Sequence, residues 1–79
     1  MTVKIQFFSA EQVRAFVRMT SRFDEPMRLT SGRYAVNGKS ILGIFSLDLA
    51  HPVTLEIDEN TVFSEKTNLL KALENFIVQ

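Results

Sequence analysis

The stretch NGKSILGIFSLDL, residues 37–49, combines a turn with a short apolar helix. Its first four residues have the composition of a turn, and the last of them, Ser40, stands where an N-cap hydroxyl is expected. Apolar side chains then fill most positions of residues 41–49, which predicts a helix over that range. Because a helix on a sheet buries only part of its circumference, we expect Leu42 and Phe45 to be exposed.

Another helix precedes this stretch, and its start is marked by Ser9 and Gln12. Their spacing is that of a capping box, in which the serine hydroxyl and the glutamine side chain each bond a free backbone N–H group. Phe8 is positioned to pack on Val13 across the first turn as a hydrophobic staple. We expect this helix to end at residues 24–26, where two acidic residues are followed by a proline.

Four short segments alternate apolar and polar side chains, which is the period of a half-buried strand. The predicted strands cover residues 2–7, 27–29, 34–36 and 53–57. The sequence Ser-Gly-Arg at 31–33 has the composition of a hairpin turn between the second and third strands. A last amphipathic helix is predicted from about Ser64 to the C-terminus.

The predicted elements therefore follow the order strand, helix, strand, strand, helix, strand, helix. This order is satisfied by an antiparallel four-stranded sheet with three helices packed on one of its faces, a two-layer sandwich of the α+β class. At 79 residues and 9.0 kDa the chain is too short for a second core. We therefore expect a single domain over residues 1–79.

The composition excludes several classes of function. Nine Lys and Arg balance nine Asp and Glu, so the basic excess that draws proteins to nucleic acid or anionic membranes is missing. A chain without cysteine has no disulfide and no thiolate metal ligand, which suits a reducing compartment, and we expect a cytoplasmic protein. No apolar run approaches the roughly 18 residues of a membrane span.

Histidine occurs once, at position 51, in a predicted loop beside a proline. One imidazole without cysteine does not make a metal site, so we expect no metal and no other cofactor. Ser40, Asp48 and His51 could be combined into a hydrolytic triad, but the nucleophile-elbow motif that supports such a site is missing. An enzyme would also need a pocket, for which so small a chain leaves little room. We therefore interpret His51 as a solvated loop residue.

Ser40 and the lysine before it form a second candidate site. A phosphate on Ser40 would meet free backbone N–H groups and the positive end of a helix dipole, with Lys39 beside it. The alternative is a simple N-cap. Leu42 and Phe45 are candidates for a partner-binding surface, and the alternative for them is self-association.

Residues 37–49 resemble the regulatory-serine region of HPr, the histidine-containing phosphocarrier family of the bacterial sugar phosphotransferase system. In that family a Lys-Ser-Ile-Met-Gly-like segment opens the second helix, and residues 39–43 here read Lys-Ser-Ile-Leu-Gly. The resemblance reaches from Phe16 through the fourth strand and, after a short insertion near residues 60–63, into the last helix. It implies the open-faced βαββαβα sandwich of that family.

The sequence departs from the family at the relay site. HPr carries its phosphoryl group on a histidine at the start of the first helix, followed by an arginine and a proline. Counting back from Phe16, the matching positions hold Ser9, Glu11 and Gln12, so the imidazole and the guanidinium are both missing. A serine phosphate is a stable ester, and a carboxylate at position 11 would repel an incoming phosphate.

Some HPr-like regulators, Crh-type proteins among them, also lack the relay histidine and keep the regulatory serine. The likeness implies a regulatory protein, not an enzyme, that an HPr kinase/phosphorylase phosphorylates on Ser40. It further implies that the surface around Leu42 and Phe45 contacts that enzyme or a catabolite-control transcription factor. We expect a monomer or a weak homodimer. The alternative function is a phosphocarrier in sugar transport with a non-standard acceptor residue.

Overall fold

Four antiparallel strands form one sheet in the computed structural model, which describes residues 1–78 apart from the side chain of Phe63. The strands are β1 (Thr2–Ile5), β2 (Met27–Ser31), β3 (Tyr34–Asn37) and β4 (Val53–Ile57). Their order across the sheet is β1-β4-β2-β3. The fourth strand in the sequence therefore lies in the interior of the sheet, between β1 and β2.

Three helices complete the fold: α1 (Ala10–Thr20), α2 (Ile41–Phe45) and α3 (Phe63–Leu73). They share one core with the sheet, and its fully buried members include Ile5, Leu29, Leu55, Phe16, Ile44 and Leu73. The predicted α+β sandwich is thus confirmed. No helix in the described part of the chain is long and apolar enough to cross a membrane.

Polar side chains on the outer face of the sheet pair across neighbouring strands. The Arg28 guanidinium on β2 lies 2.7 Å from the Glu56 carboxylate on β4, directly opposite in the register. On the other side of β4, the Lys4 ammonium donates to the Thr54 hydroxyl at 2.9 Å. These pairs follow from the alternation of the strands, which turns every second side chain away from the core.

Helix α2 ends at Phe45, so the prediction of a helix to residue 49 was wrong in its end point. The N–H groups of Ser46 and Leu47 donate to carbonyls three residues back, which tightens the last turn. The Ser46 hydroxyl also donates to the Gly43 carbonyl at 2.6 Å. A serine that competes for backbone groups in this way favours a helix end.

Helix α1 also ends earlier than predicted, at Thr20 instead of residues 24–26. The N–H groups of Arg22 and Phe23 donate to carbonyls three residues back, both at 3.1 Å, and so continue the chain as turns. The buried Thr20 hydroxyl donates to the Gly38 carbonyl at 3.0 Å. This contact ties the end of α1 to the turn before α2, and the sequence pattern of α1 alone contains no sign of it.

The chain after α3 lies beside β1. Helix α3 ends at Leu73, so the predicted helix does not run to the C-terminus, and its last predicted residue, Gln79, lies outside the described residues. The Gln6 N–H donates to the Phe76 carbonyl and the Val78 N–H donates to the Lys4 carbonyl, each at 3.0 Å.

The first strand is also shorter than the predicted strand over residues 2–7. Strand β1 ends at Ile5 and not at residue 7, and Ile5 forms a single bridge to Ile77. Phe7 stays buried although it has left the strand, because its ring packs edge-to-face on Phe16 and Phe76, with centroids 5.2 and 6.1 Å apart. The segment after α3 therefore covers an edge of the sheet that would otherwise be free.

Candidate functional site

The start of α1, where the resemblance places the relay site, is built around a capping serine. Ser9 is the N-cap, with extended backbone angles, and its hydroxyl accepts a hydrogen bond from the Gln12 N–H at 3.2 Å. The Gln12 side-chain oxygen accepts from the N–H of Phe8 at 2.6 Å. The glutamine thus reaches one residue further back than in the usual capping box. Ser9 thus caps the helix as a hydrogen-bond acceptor, in the same way as Ser40 caps α2.

Phe8, which precedes Ser9, has an exposed ring that the sequence pattern did not predict. Its side chain is 82% exposed, whereas Val13 is fully buried, so the predicted staple between the two was wrong. The bond from the Phe8 N–H to Gln12 fixes the backbone next to an exposed ring. Local spacing predicted the contact with Val13, but Val13 belongs to the buried core cluster and Phe8 does not.

Glu11 lies one residue inside α1 and is surrounded by arginines. Its carboxylate is 3.3 Å from the Arg14 guanidinium and 3.6 Å from that of Arg18. All three side chains are largely exposed, so each pair contributes at most about 1 kcal/mol to stability. The carboxylate and the two guanidinium groups leave this face of α1 with an excess of positive charge.

Ser40 is the N-cap of α2, as the sequence predicts, and its hydroxyl accepts from the Gly43 N–H at 3.1 Å. The side chain is half-buried. A Cβ atom on Gly43 would lie 3.2 Å from the Ser40 oxygen and 3.2 Å from the Cβ of Val36 on β3. Glycine at position 43 therefore lets α2 approach the sheet closely while Ser40 caps it.

Lys39 does not point its ammonium at the capped end of α2. Its Nζ donates to the backbone carbonyl of Phe23, in the turn that follows α1. Its own N–H donates to the side-chain oxygen of Asn37 at 2.9 Å, which fixes the turn before Ser40. Lys39 is adjacent to Ser40 in sequence, but its ammonium bonds the turn after α1 and not the start of α2.

Leu42 and Phe45 form an exposed apolar surface on α2, which we call the α2 patch. Their side chains are 80% and 41% exposed, and the predicted exposure is thus confirmed. Ile44, between them in sequence, is fully buried, which shows the face by which α2 contacts the core. Helices α1 and α2 pack against each other, so the patch lies on the same helical layer as Glu11 and its arginines.

His51 lies in the loop between α2 and β4 and is exposed. None of the hydrogen bonds described in residues 1–78 joins it to Ser40 or Asp48, and the Asp48 carboxylate accepts from the N–H of Ala50 at 3.0 Å. Within those residues, no three histidine, aspartate or glutamate side chains cluster closely enough to hold a metal ion.

No protein-family model and no curated protein sequence matches the chain. Solved structures match it over nearly its whole length. HPr-C-His from Thermoanaerobacter tengcongensis is 26% identical, with a TM-score of 0.71 over 95% of this chain and 85% of that chain. The phosphocarrier protein HPr from Bacillus anthracis str. Ames is 24% identical, with a TM-score of 0.70 over 99% of this chain and 94% of that chain.

Crh, the catabolite repression protein of Bacillus subtilis, is a third structural match. It is 25% identical, with a TM-score of 0.64 over 98% of this chain and 90% of that chain, and its crystal structure is a dimer with a swapped domain. Together with the element order and the open sheet face described above, these matches show that the chain has the fold of HPr and Crh, and they support a place in the HPr family.

Proposed function

We propose that this chain is a cytoplasmic HPr-like protein that controls carbon uptake by binding protein partners and does not pass phosphoryl groups onward. The observation that carries this proposal is the residue type at position 9, where by the resemblance a serine takes the place of the relay histidine. Its hydroxyl caps α1 through the Gln12 N–H. A hydroxyl forms a stable phosphate ester, whereas the relay depends on a labile N–P bond.

Glu11 supports the same proposal. By the resemblance it replaces the arginine that neutralises the phosphate in HPr. A carboxylate next to an incoming phosphoryl group raises the cost of bringing the two anions together. Arg14 and Arg18 more than balance the charge of Glu11, but both reach it from further along the helix, and neither stands at the position that the resemblance gives to the family's arginine.

Ser40 is the regulated residue in this proposal, modified by an HPr kinase/phosphorylase. In residues 1–78 its hydroxyl accepts one hydrogen bond, from Gly43, and donates none, so its proton is available to a base of the kinase. The hydroxyl oxygen bonds to the γ-phosphorus of ATP, the bond from that phosphorus to the ADP oxygen breaks, and the proton passes to the base.

The α2 patch is the contact surface. Leu42 and Phe45 follow Ser40 within the next five residues, so a phosphate there adds about −1.5 to −2 charges beside an apolar surface. That change alters which partner surface the patch can pack against. The partners in this proposal are the kinase/phosphorylase itself and a catabolite-control transcription factor.

The test is incubation with an HPr kinase/phosphorylase and ATP, followed by intact mass spectrometry. We expect one phosphate on the wild type and none on Ser40→Ala. Ser46→Ala is the matched control, because Ser46 is an exposed serine at the other end of α2, and it should gain one phosphate. An unmodified wild type, or an equal gain on Ser40→Ala, contradicts the proposal.

A second candidate function is a phosphocarrier with a non-standard acceptor, and the position of His51 favours it. Val53, where β4 begins, pairs with Ile5, where β1 ends, and the Gln6 side chain donates to the Leu49 carbonyl at 3.3 Å. The loop that carries His51 therefore lies beside the segment that leads to Ser9. Transfer from phosphorylated Enzyme I that is lost in His51→Ala would support this candidate.

Self-association is part of the proposal as well. The dimer of Crh from Bacillus subtilis has a swapped domain, and we propose that this chain is a monomer or a weak homodimer. Sedimentation velocity over a range of protein concentrations tests this: a concentration-dependent shift of the sedimentation coefficient supports a weak dimer, and a tight dimer at every concentration contradicts it.

A further inference from the structure

Behind Ser40, the turn before α2 is held to the end of α1 by two side chains. The Thr20 hydroxyl donates to the Gly38 carbonyl at 3.0 Å, and the Lys39 ammonium donates to the Phe23 carbonyl. The first bond is buried, whereas the second is partly buried and belongs to the neighbour of Ser40. Of the two bonds, only the one from Lys39 has a charged donor that a negative charge at Ser40 could attract.

The partner of Lys39 is a neutral group. Within residues 1–78 its ammonium forms no ion pair with a carboxylate, and it contacts the carbonyl of Phe23. In this bond only the donor is charged, whereas a phosphate on Ser40 would add the attraction between two opposite full charges. The flexible four-carbon stem of lysine lets the ammonium turn towards a phosphate on the adjacent residue.

We propose that Lys39 is a switch residue: phosphorylation of Ser40 draws its ammonium from the Phe23 carbonyl to the phosphate and loosens residues 21–23. This inference rests on the proposed function, because it takes Ser40 as the modified residue. The bond from Thr20 to Gly38 remains, so α1 keeps its place while the turn after it opens. A modification at α2 thereby changes the surface at the end of α1.

The affected turn can be observed directly through its amides. The N–H groups of Ser21, Arg22 and Phe23 donate to backbone carbonyls at 3.0, 3.1 and 3.1 Å. Amide hydrogen exchange reports the local opening of such bonds. The Gly38 N–H, which donates to the Met27 carbonyl at 2.9 Å, serves as an internal reference, because the buried Thr20 bond holds that residue.

The experiment compares the unmodified chain with one in which Ser40 carries a phosphate, inserted as phosphoserine during translation. We expect the amides of residues 21–23 to exchange about fivefold faster in the phosphorylated chain, with the Gly38 amide unchanged. Equal exchange at residues 21–23 in the two chains overturns the proposal.

Two lysine variants test whether faster exchange depends on the Lys39 ammonium or follows from any loss of positive charge. Lys39→Met removes the ammonium but keeps an apolar stem, and we expect it to speed exchange at residues 21–23 without any phosphate. Phosphate at Ser40 should then add no further change. Lys4→Met is the matched control, because the Lys4 ammonium bonds Thr54 on the outer face of the sheet, and it should leave residues 21–23 unchanged.

Two results with these variants overturn the switch. One is a Lys39→Met chain whose residues 21–23 exchange like those of the wild type. The bond from Lys39 to the Phe23 carbonyl would then not stabilise this turn. The other is a phosphate effect of the same size in Lys39→Met. Failure of the kinase to modify Ser40 is a separate result: it contradicts the proposed function and leaves this measurement intact, since the phosphoserine is installed without the kinase.

Discussion

At the scale of single residues, two buried threonines differ in whether their hydroxyl has a partner. Thr20 is fully buried, and the carbonyls of Gly38 and Val17, 3.0 and 3.3 Å from its hydroxyl oxygen, share the single hydroxyl proton. Thr61 is 8% exposed, and its hydroxyl has no hydrogen-bond partner among the described residues. A buried polar group without a partner costs about 1–3 kcal/mol.

We therefore expect valine to have opposite effects at the two positions. Thr61→Val should raise the free energy of unfolding by about 1 kcal/mol, because an unpaired hydroxyl is removed. Thr20→Val should lower it by about 1–2 kcal/mol, because the Gly38 carbonyl loses its donor. Urea unfolding followed by circular dichroism measures both. A loss for Thr61→Val as large as that for Thr20→Val would contradict the account of Thr61.

Some residues of the candidate site could be predicted from the local sequence, and others could not. The two caps, Ser9 and Ser40, were predicted because a capping hydroxyl bonds an N–H within three residues. The exposed ring of Phe8 was not, because the spacing of a hydrophobic staple does not determine whether the ring packs on Val13. The bond from Lys39 to Phe23 spans 16 residues, and no local pattern encodes it.

At the scale of elements, the hairpin between β2 and β3 depends on one glycine. Gly32 has a φ of +58°, and it is the only residue described with a positive φ. Ser31 pairs with Tyr34, so Gly32 and Arg33 form a two-residue loop, and glycine at its first position is the pattern of a type II′ turn.

Replacing this glycine should weaken the hairpin. Gly32→Ala is expected to lower the free energy of unfolding by about 1–2 kcal/mol, since a Cβ disfavours positive φ even though no atom lies within 4 Å of it. Arg33→Ala, in the same turn but at a residue without a positive φ, should change it by less than about 0.5 kcal/mol. Thermal unfolding compares the two, and equal melting temperatures would refute the role of Gly32.

The segment after α3 is the second element whose contribution can be measured. The Phe76 ring packs edge-to-face on Phe16 with centroids 5.6 Å apart, and its carbonyl accepts from Gln6. We expect Phe76→Ala to lower the free energy of unfolding by about 2–3 kcal/mol, less than for a fully buried ring. Phe8→Ala, at an exposed ring, is the control and should change it by less than about 0.5 kcal/mol.

Element types followed from the sequence, but several element ends did not. Alternation and capping depend on neighbours within a few residues, so the strands and the capped starts of α1 and α2 were predictable. The ends of α1 and α2 and the path after α3 depend on contacts with distant segments, such as Thr20 with Gly38 and Val78 with Lys4. The period of 3.6 residues continued past Leu73, but pairing with β1 prevailed over further helix.

At the scale of the whole molecule, we propose that exposed apolar side chains bind the protein partners. Leu42 on α2 and Val62 at the start of α3 are both exposed aliphatic residues, at 80% and 61%. Only Leu42 belongs to the α2 patch. Substitutions at Leu42 and Val62 therefore distinguish binding through the α2 patch from binding to any exposed apolar side chain.

Serine at these two positions should have different effects on binding. We expect Leu42→Ser to weaken binding to HPr kinase/phosphorylase at least tenfold, about 1.4 kcal/mol, with little change in unfolding. Val62→Ser should bind like the wild type. Calorimetric titration with the purified kinase gives both affinities, and equal affinity of the wild type and Leu42→Ser would exclude the α2 patch as the contact surface.

The central proposal is that this chain, with Ser9 where the resemblance places the relay histidine, does not hand on phosphoryl groups. The most direct measurement is to incubate the chain with Enzyme I and phosphoenolpyruvate and to assay it for phosphate that is released by acid. We predict that the chain stays unmodified while an HPr control in the same mixture is phosphorylated. An acid-labile phosphoramidate on this chain would contradict it.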